Sequence, residues 1–296
     1  MKVYACIDIG GTMIKYGLVD ESGQILQSAK RLTEAYLGGS GIMQKVEEII
    51  DDYLMDHHLA GIALSSAGMV DPEKGEIFHS GPQIPNYAGT PFKKLLEDKY
   101  QIPCEIENDV NCAGLAEVIS GAAINSQVTI CLTIGTGIGG CMLIGEEVFH
   151  GYSNSACEVG YMNMGSKEFQ QLGSTTELVR KVAERKNESE TLWDGYQVFE
   201  AAKLGDSICV DAIEEMISVL TTGIATICYI VNPQTVVLGG GIMSQEPYLK
   251  DKMQKSLQTK LVPSIAEKTT LAFAHHQNNA GMLGAFYHFS RKQQIE

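Results

Sequence analysis

The sequence predicts an α/β protein of two lobes, and three observations carry that expectation. A strand, glycine turn, strand, turn, strand unit occurs twice, first in "KVYACIDIGGTMIKYGLVDESGQILQSAK" and again in "VTICLTIGTGIGGCMLIGEEVFHG". Each unit is followed by alternating helical and strand patterns, which is how a layered α/β fold is written in sequence. The chain of 296 residues, 44% of them hydrophobic, can supply two cores flanking a common cleft.

The elements follow in order. After the first strand and its "GGT" loop, "DESG" at Asp20 to Gly23 signals a hairpin into a third strand. Ile42, Val46, Ile49, Ile50, Tyr53 and Leu54 recur at helical spacing, and "DHH" with "LAG" ends that helix. "GIALSSAG" reads as a buried strand, "PFKKLLEDKY" as a helix begun after Pro91, "IPCEIEN" as a strand, and "DVNCAGLAEVISG" as a helix stopped by Gly121. Past the second unit, Ser174 to about Asp211 is mostly helical. "DAIEEMISVLTTGIATICYIVNP" is a long helix ended by Asn232 and Pro233. The strand "TVVLGGGI", a helix near "YLKDKMQKSLQTK", the strand "TTLAFA" and a last helix "NAGMLGAFYHFSRK" complete the pattern.

Composition removes several function classes. With 22 Lys plus Arg against 36 Asp plus Glu, the formal charge of -14 disfavours nucleic acid and anionic membrane as partners. Any anionic ligand must be held locally. The N-terminal run has no signal-peptide character, and no uncharged stretch approaches the ~20 residues of a membrane helix. Eight cysteines without CxxC spacing indicate buried, reduced thiols rather than disulfides or zinc, so a cytoplasmic protein is expected.

The loop "TIGTGIGG" raises the question of its ligand. Gly135, Gly137 and Gly140 match the dinucleotide fingerprint, but "CMLI" continues as strand where that fingerprint needs a helix. A Walker loop is also missing. Two strand–loop–strand units, each offering amides and a Thr hydroxyl, suit a polyphosphate gripped from both sides.

Five motifs, "DIGGTMIKYG", "ENDVNCAGLAE", "TIGTGIGG", "EVGY" and "VVLGGGI", stand in this order along nearly the whole chain. Together they resemble the sugar kinases of the ROK family (repressor, open reading frame, kinase). The resemblance implies a duplicated actin-like, hexokinase-like (ribonuclease H-like) ATPase fold, ATP and Mg²⁺ as cosubstrate and metal, a small-molecule sugar as acceptor, and a homodimer. It also implies an N-terminal lobe of residues 1–117, to which the last helix, about 279–292, returns, and a C-terminal lobe of residues 118–278. Repressor members carry a DNA-binding segment ahead of the first phosphate strand, which here begins at about Val3, so the repressor reading is set aside. A sugar sensor without catalysis and an NAD-dependent enzyme remain as rivals.

Carried over residue by residue, the resemblance sets Asp8 near the Mg²⁺–phosphate group. Gly10, Gly11 and Thr12 would present amides and a hydroxyl to the phosphates, with Lys15 a cation nearby. As a residue, Asp8 has the alternative of capping its own turn, a reading that the repeat around it disfavours. Gly135, Thr136 and Gly137 would form the opposing phosphate loop, and Gly239, Gly240 and Gly241 would approach adenosine, although such glycines also make a tight strand-to-helix turn. Asp109 matches the general base that takes the proton of the sugar's primary hydroxyl. Its position at a strand-to-helix junction suits a helix N-cap equally well. Asn108, Glu158 and, less firmly, Asn86 and Gly68 would hold sugar hydroxyls.

The chain departs from the family at its zinc motif. Tyr161 stands at the histidine position, and "MNMGSKEFQQLGSTTEL" has no cysteine, so no structural zinc is expected. Tyr161 and approximately Gln170 would then face the anomeric end of the sugar. A neutral contact there is expected to admit β-glucosides as well as glucose. Fructose, mannose and N-acetylated hexosamines also fit these polar anchors. His57, His58, His275 and His276 read as surface or capping residues.

Overall fold

The computed structural model describes residues 2–81 and 84–295, which form two compact units. The first holds residues 1–119, 150–155 and 278–296; the second holds residues 120–149 and 156–277.

The first unit is built on β1 (Val3–Ile9), β2 (Met13–Asp20), β3 (Ile25–Leu32), α1 (Gly38–Leu54), β4 (Leu59–Ser66), the hairpin of β5 (Met69–Asp71) and β6 (Glu76–His79), α2 (Phe92–Tyr100), β7 (Cys104–Asn108) and α3 (Asp109–Ser120). Its sheet runs β3-β2-β1-β4-β7, with the first three strands antiparallel and the last three parallel. Successive residues of β1 face opposite sides. Val3, Ala5, Ile7 and Ile9 join Ile42, Val46, Ile49 and Ile50 of α1 in one core, whereas Tyr4 and Cys6 face the other way. Of the apolar stripe read at helical spacing, Ile42, Val46, Ile49 and Ile50 are buried on α1, whereas Tyr53 is partly buried and Leu54 is exposed.

The second unit repeats the plan with β8 (Val128–Ile134), β9 (Ile138–Ile144), β10 (Glu147–Val148), the hairpin of β11 (Asn163–Met164) and β12 (Lys167–Glu168), α4 (Phe169–Gly173), α5 (Thr175–Lys186), α6 (Gly195–Lys203), α7 (Ser207–Val231), β13 (Thr235–Gly239), α8 (Glu246–Gln258), α9 (Pro263–Ala266) and β14 (Thr270–Phe273). Its order, β10-β9-β8-β13-β14, carries the same antiparallel and parallel pairings. The repeat read in the sequence is thus a repeat of topology. Asn232 ends α7 in the left-handed conformation, donating its N–H to the Cys228 carbonyl at 2.9 Å, with Pro233 next.

The final helix, α10 (Ala280–Lys292), covers the second face of the first sheet. Phe286 and Phe289 set their rings 5.2 and 5.5 Å from Tyr4, and burying each contributes ~1.5–3 kcal/mol. A Cβ on Gly284 would come within 1.8 Å of the Cys112 carbonyl oxygen, so only glycine lets α10 approach α3 this closely. The chain segment 150–155, interposed between β10 and β11, was not legible as part of the first unit; a pairing of His150 with β7 holds it there.

Candidate active site

The carboxyl end of the first sheet gathers polar residues in rows. Asp8 on β1 is in register with Ser65 on β4, and Ser65 with Glu107 on β7; one step on, Ile9, Ser66 and Asn108 align. Side chains in one row share a face. The Ser65 hydroxyl donates to Asp8 Oδ1 at 2.7 Å, while Lys15, opposite Asp8 on β2, sets its ammonium 3.9 Å from Oδ2. Burial pushes the Asp8 carboxyl above its ordinary value, and Ser65 and then Lys15 pull it back. The first turn of α10 abuts this carboxylate: a Cβ on Gly281 would lie 2.3 Å from Asp8 Cγ.

In the adjoining loop the Gly10 N–H donates to the Met13 carbonyl at 3.0 Å, and Thr33 Oγ1 donates to the Gly10 carbonyl at 2.7 Å. Gly10 therefore closes the turn through both its amide and its carbonyl. Gly11 and Thr12 form the exposed tip.

At the β7–α3 junction Asn108 is the main cap, and Asp109 Oδ1 also accepts from the Val110 N–H at 3.0 Å. Asn108 Oδ1 accepts from the N–H groups of Val110 and Asn111 at 2.9 and 3.1 Å. Its Nδ2 donates to the Gly68 carbonyl at 2.9 Å and to Asp109 Oδ1 at 3.0 Å. A carboxamide has two donors and two acceptor sites. All four are used within the protein, and one of them ties Asn108 to the Asp109 carboxylate. Gly68, at φ 91°, supplies the carbonyl that holds Asn108. Asn86 lies exposed with φ 52° on the loop before α2.

In the second unit the Gly135 N–H donates to the Gly137 carbonyl at 3.0 Å, and the Gly135 carbonyl accepts from Thr175 N–H at 2.9 Å. The loop is thereby tied to the first turn of α5, whose positive end favours anions. Gly135, Thr136, Thr175, Trp193, Gly241 and Ile242 line a cavity of about 590 Å³. Thr136 also borders a second hollow of about 480 Å³ with Lys167 and Gln170. Gly239 and Gly240 lie instead on a hollow of about 40 Å³. Gly240, at φ 101°, would drive a Cβ to 2.2 Å from the Ile134 carbonyl oxygen, so its lack of a side chain serves the close packing of β13 on β8. Gln170 Oε1 sits where Cβ atoms on Gly137 and Gly160 would fall, 2.8 and 3.2 Å away.

Glu158 and Tyr161 belong to the second unit, on a single 3-10 turn, with Tyr161 half exposed. Among the described residues no group of three or more His, Cys, Asp or Glu side chains can hold a metal ion. Sequence reasoning missed Ser65, Glu107, His150, Trp193 and Gly281. For Ser65 and Glu107 a signal existed, since Ser65 lies in the quoted strand "GIALSSAG" and Glu107 opens the quoted motif "ENDVNCAGLAE".

The ROK family model matches residues 4–292. A beta-glucoside kinase of Listeria monocytogenes is 31% identical over 301 residues, spanning 99% of this chain and 99% of that protein. A ROK family protein of Streptococcus pneumoniae, solved in complex with sucrose, superimposes with a TM-score of 0.87 at 30% identity, covering 99% of this chain and all of that one. A ROK family glucokinase of Streptomyces griseus, solved with glucose and AMPPNP, gives 0.84 at 27% identity, covering 96% and 97%. With its duplicated sheets of the actin-like, hexokinase-like ATPase fold, the chain belongs to the ROK family.

Proposed function

We propose that this ATP-dependent sugar kinase transfers the terminal phosphoryl group of ATP to the C6 hydroxyl of a hexose, glucose or a β-glucoside such as cellobiose, with Asp109 as general base. The observation that carries the reading is the fixing of Asp109 at the β7–α3 junction by an Asn108 whose side-chain amide is bonded at both ends. The Asp109 carboxylate takes the hydroxyl proton as the oxygen attacks the terminal phosphorus; the bond to the bridging oxygen breaks, and ADP leaves. Gly68, Asn86, Glu158 and Tyr161 would contact the sugar. Gly135, Thr136 and Gly137 would hold phosphates at the positive end of α5, and adenosine would fill the cavity beside Gly241 and Trp193.

Asp8 fits a Mg²⁺ ion, since its carboxylate is a hard oxygen donor of the kind that would hold Mg²⁺ beside phosphates. Bound there, the ion would neutralise phosphate charge. Tolerance of an O1 substituent is supported by the sucrose bound to the pneumococcal relative, because sucrose is a glucose substituted at its anomeric oxygen. A homodimer in the cytoplasm, without structural zinc, belongs to the same reading.

The test is ADP release with ATP and Mg²⁺ over glucose, cellobiose, fructose and N-acetylmannosamine, run beside Asp109→Asn. Turnover with glucose or cellobiose should fall about 10²–10⁴-fold in the variant. Silence across the panel, with sugar binding retained, would refute catalysis.

A further inference from the structure

Glu107 is completely buried one residue before Asn108. Its Oε1 accepts from the Asn108 N–H at 2.7 Å and from Asn111 Nδ2 at 2.9 Å, both on the turn that carries Asp109. Its Oε2 meets His150 Nε2 at 2.6 Å. One carboxylate oxygen is thus committed to the turn, and the other to a residue 43 positions away in the segment 150–155.

We infer that His150 is a positioning residue for the phosphorylating centre, clamping Glu107 so that its other oxygen holds the Asn108–Asp109 turn in place. The inference rests on Asp109 being the base. A buried carboxylate is tolerated only with its lone pairs satisfied. Without the His150 donor, Glu107 must rotate or take up a proton, and either change weakens the bonds of Oε1 to the turn.

The neighbouring groups do not replace this donor. His288 on α10 keeps Nδ1 3.7 Å from Glu107 Oε2, beyond hydrogen-bond range, and burial holds its imidazole below its ordinary value. Lys292 of α10 is paired with Glu73 of the β5–β6 turn, and Glu105 of β7 is paired with Lys93 at 2.8 Å. Bonding to Glu107 raises the His150 imidazole above its ordinary value, and Glu107 is held below its own despite burial, principally by His150. The charge-assisted pair is therefore intact between the lowered Glu107 value and the raised His150 value. As pH rises through the latter, His150 loses its charge and the ion pair is lost, leaving a weaker bond from neutral imidazole to the carboxylate.

The experiment compares wild type, His150→Phe, His150→Gln and Asp109→Asn, using the panel sugar with the fastest ADP release, across pH. His150→Phe should lower kcat about tenfold or more at unchanged KM for ATP, because displacement of a reacting group by an ångström is costly. Gln can donate the same bond without titrating; His150→Gln should recover most of the turnover and lack the alkaline decline of the wild type. A folded His150→Phe protein with wild-type kcat and pH profile overturns the inference. If that variant does not fold, a His150→Gln profile with the wild-type decline intact does so. Collapse in Asp109→Asn beside no effect at His150 removes this inference alone, whereas wild-type turnover in Asp109→Asn removes the base and the inference together.

Discussion

Replacing Gly281 by alanine sets two effects of opposite sign against each other. In a helix interior the exchange is favourable by up to ~1 kcal/mol, an upper bound for Gly281 in the first turn of α10. Here the new Cβ would stand 2.3 Å from Asp8 Cγ and 2.4 Å from Oδ1, about 1 Å short of ordinary carbon–carbon contact at ~3.5 Å. Gly281 belongs to a helix anchored by Phe286 and Phe289, so the carboxylate moves rather than the helix. That motion breaks the 2.7 Å bond from Ser65, and hydrogen bonds to charged groups contribute ~1.5–3 kcal/mol. The steric effect wins, with a net loss of ~1–2 kcal/mol and a fall in Tm of roughly 2–4 °C for a chain of this size. Because Asp8 would also leave its place near the phosphates, kcat should drop ~10²-fold. Thermal melts and steady-state ADP release at saturating Mg²⁺ measure both quantities. A variant that melts higher than wild type and keeps its kcat would refute the reasoning.

Two further outcomes are expected. Asn108→Ala should lose a helix cap worth ~1 kcal/mol and lower kcat through a disoriented Asp109, with KM for sugar little changed; a large rise in KM at constant kcat would show that Asn108 binds the sugar directly. Trp193 is the one tryptophan in the chain and lines the 590 Å³ cavity, so ATP should change the intrinsic emission. Unaltered fluorescence at an ATP concentration that raises Tm would place the adenosine elsewhere.

Periodicity alone gave α1, whose stripe from Ile42 to Ile50 is the buried face, and local turn chemistry gave the Asp20–Gly23 hairpin and the Asn232 stop. Those features depend on residues within one or two turns of each other, which is the range over which pattern carries information. The repeat of Gly10–Thr12 in Gly135–Gly137 likewise announced two sheets of one topology. The division of labour within the motifs did not follow. Asn108 and Asp109 are both good helix caps by type, and only the direction of the Asn108 carboxamide decides that Asn108 accepts from two amides of the turn while its Nδ2 holds the Asp109 carboxylate. Gly239, Gly240 and Gly241 look alike, yet only Gly241 of the three borders the large cavity.

The sequence by itself determined the α/β class, the duplication and the family, because these rest on repeated local patterns and an ordered set of motifs. Tertiary structure alone decided that Gly281 must leave room for Asp8, that Ser65 steadies it, and that His150 reaches Glu107. These partners lie 43 to 273 positions apart or on neighbouring strands, and no local pattern encodes a contact that exists only once the chain has packed.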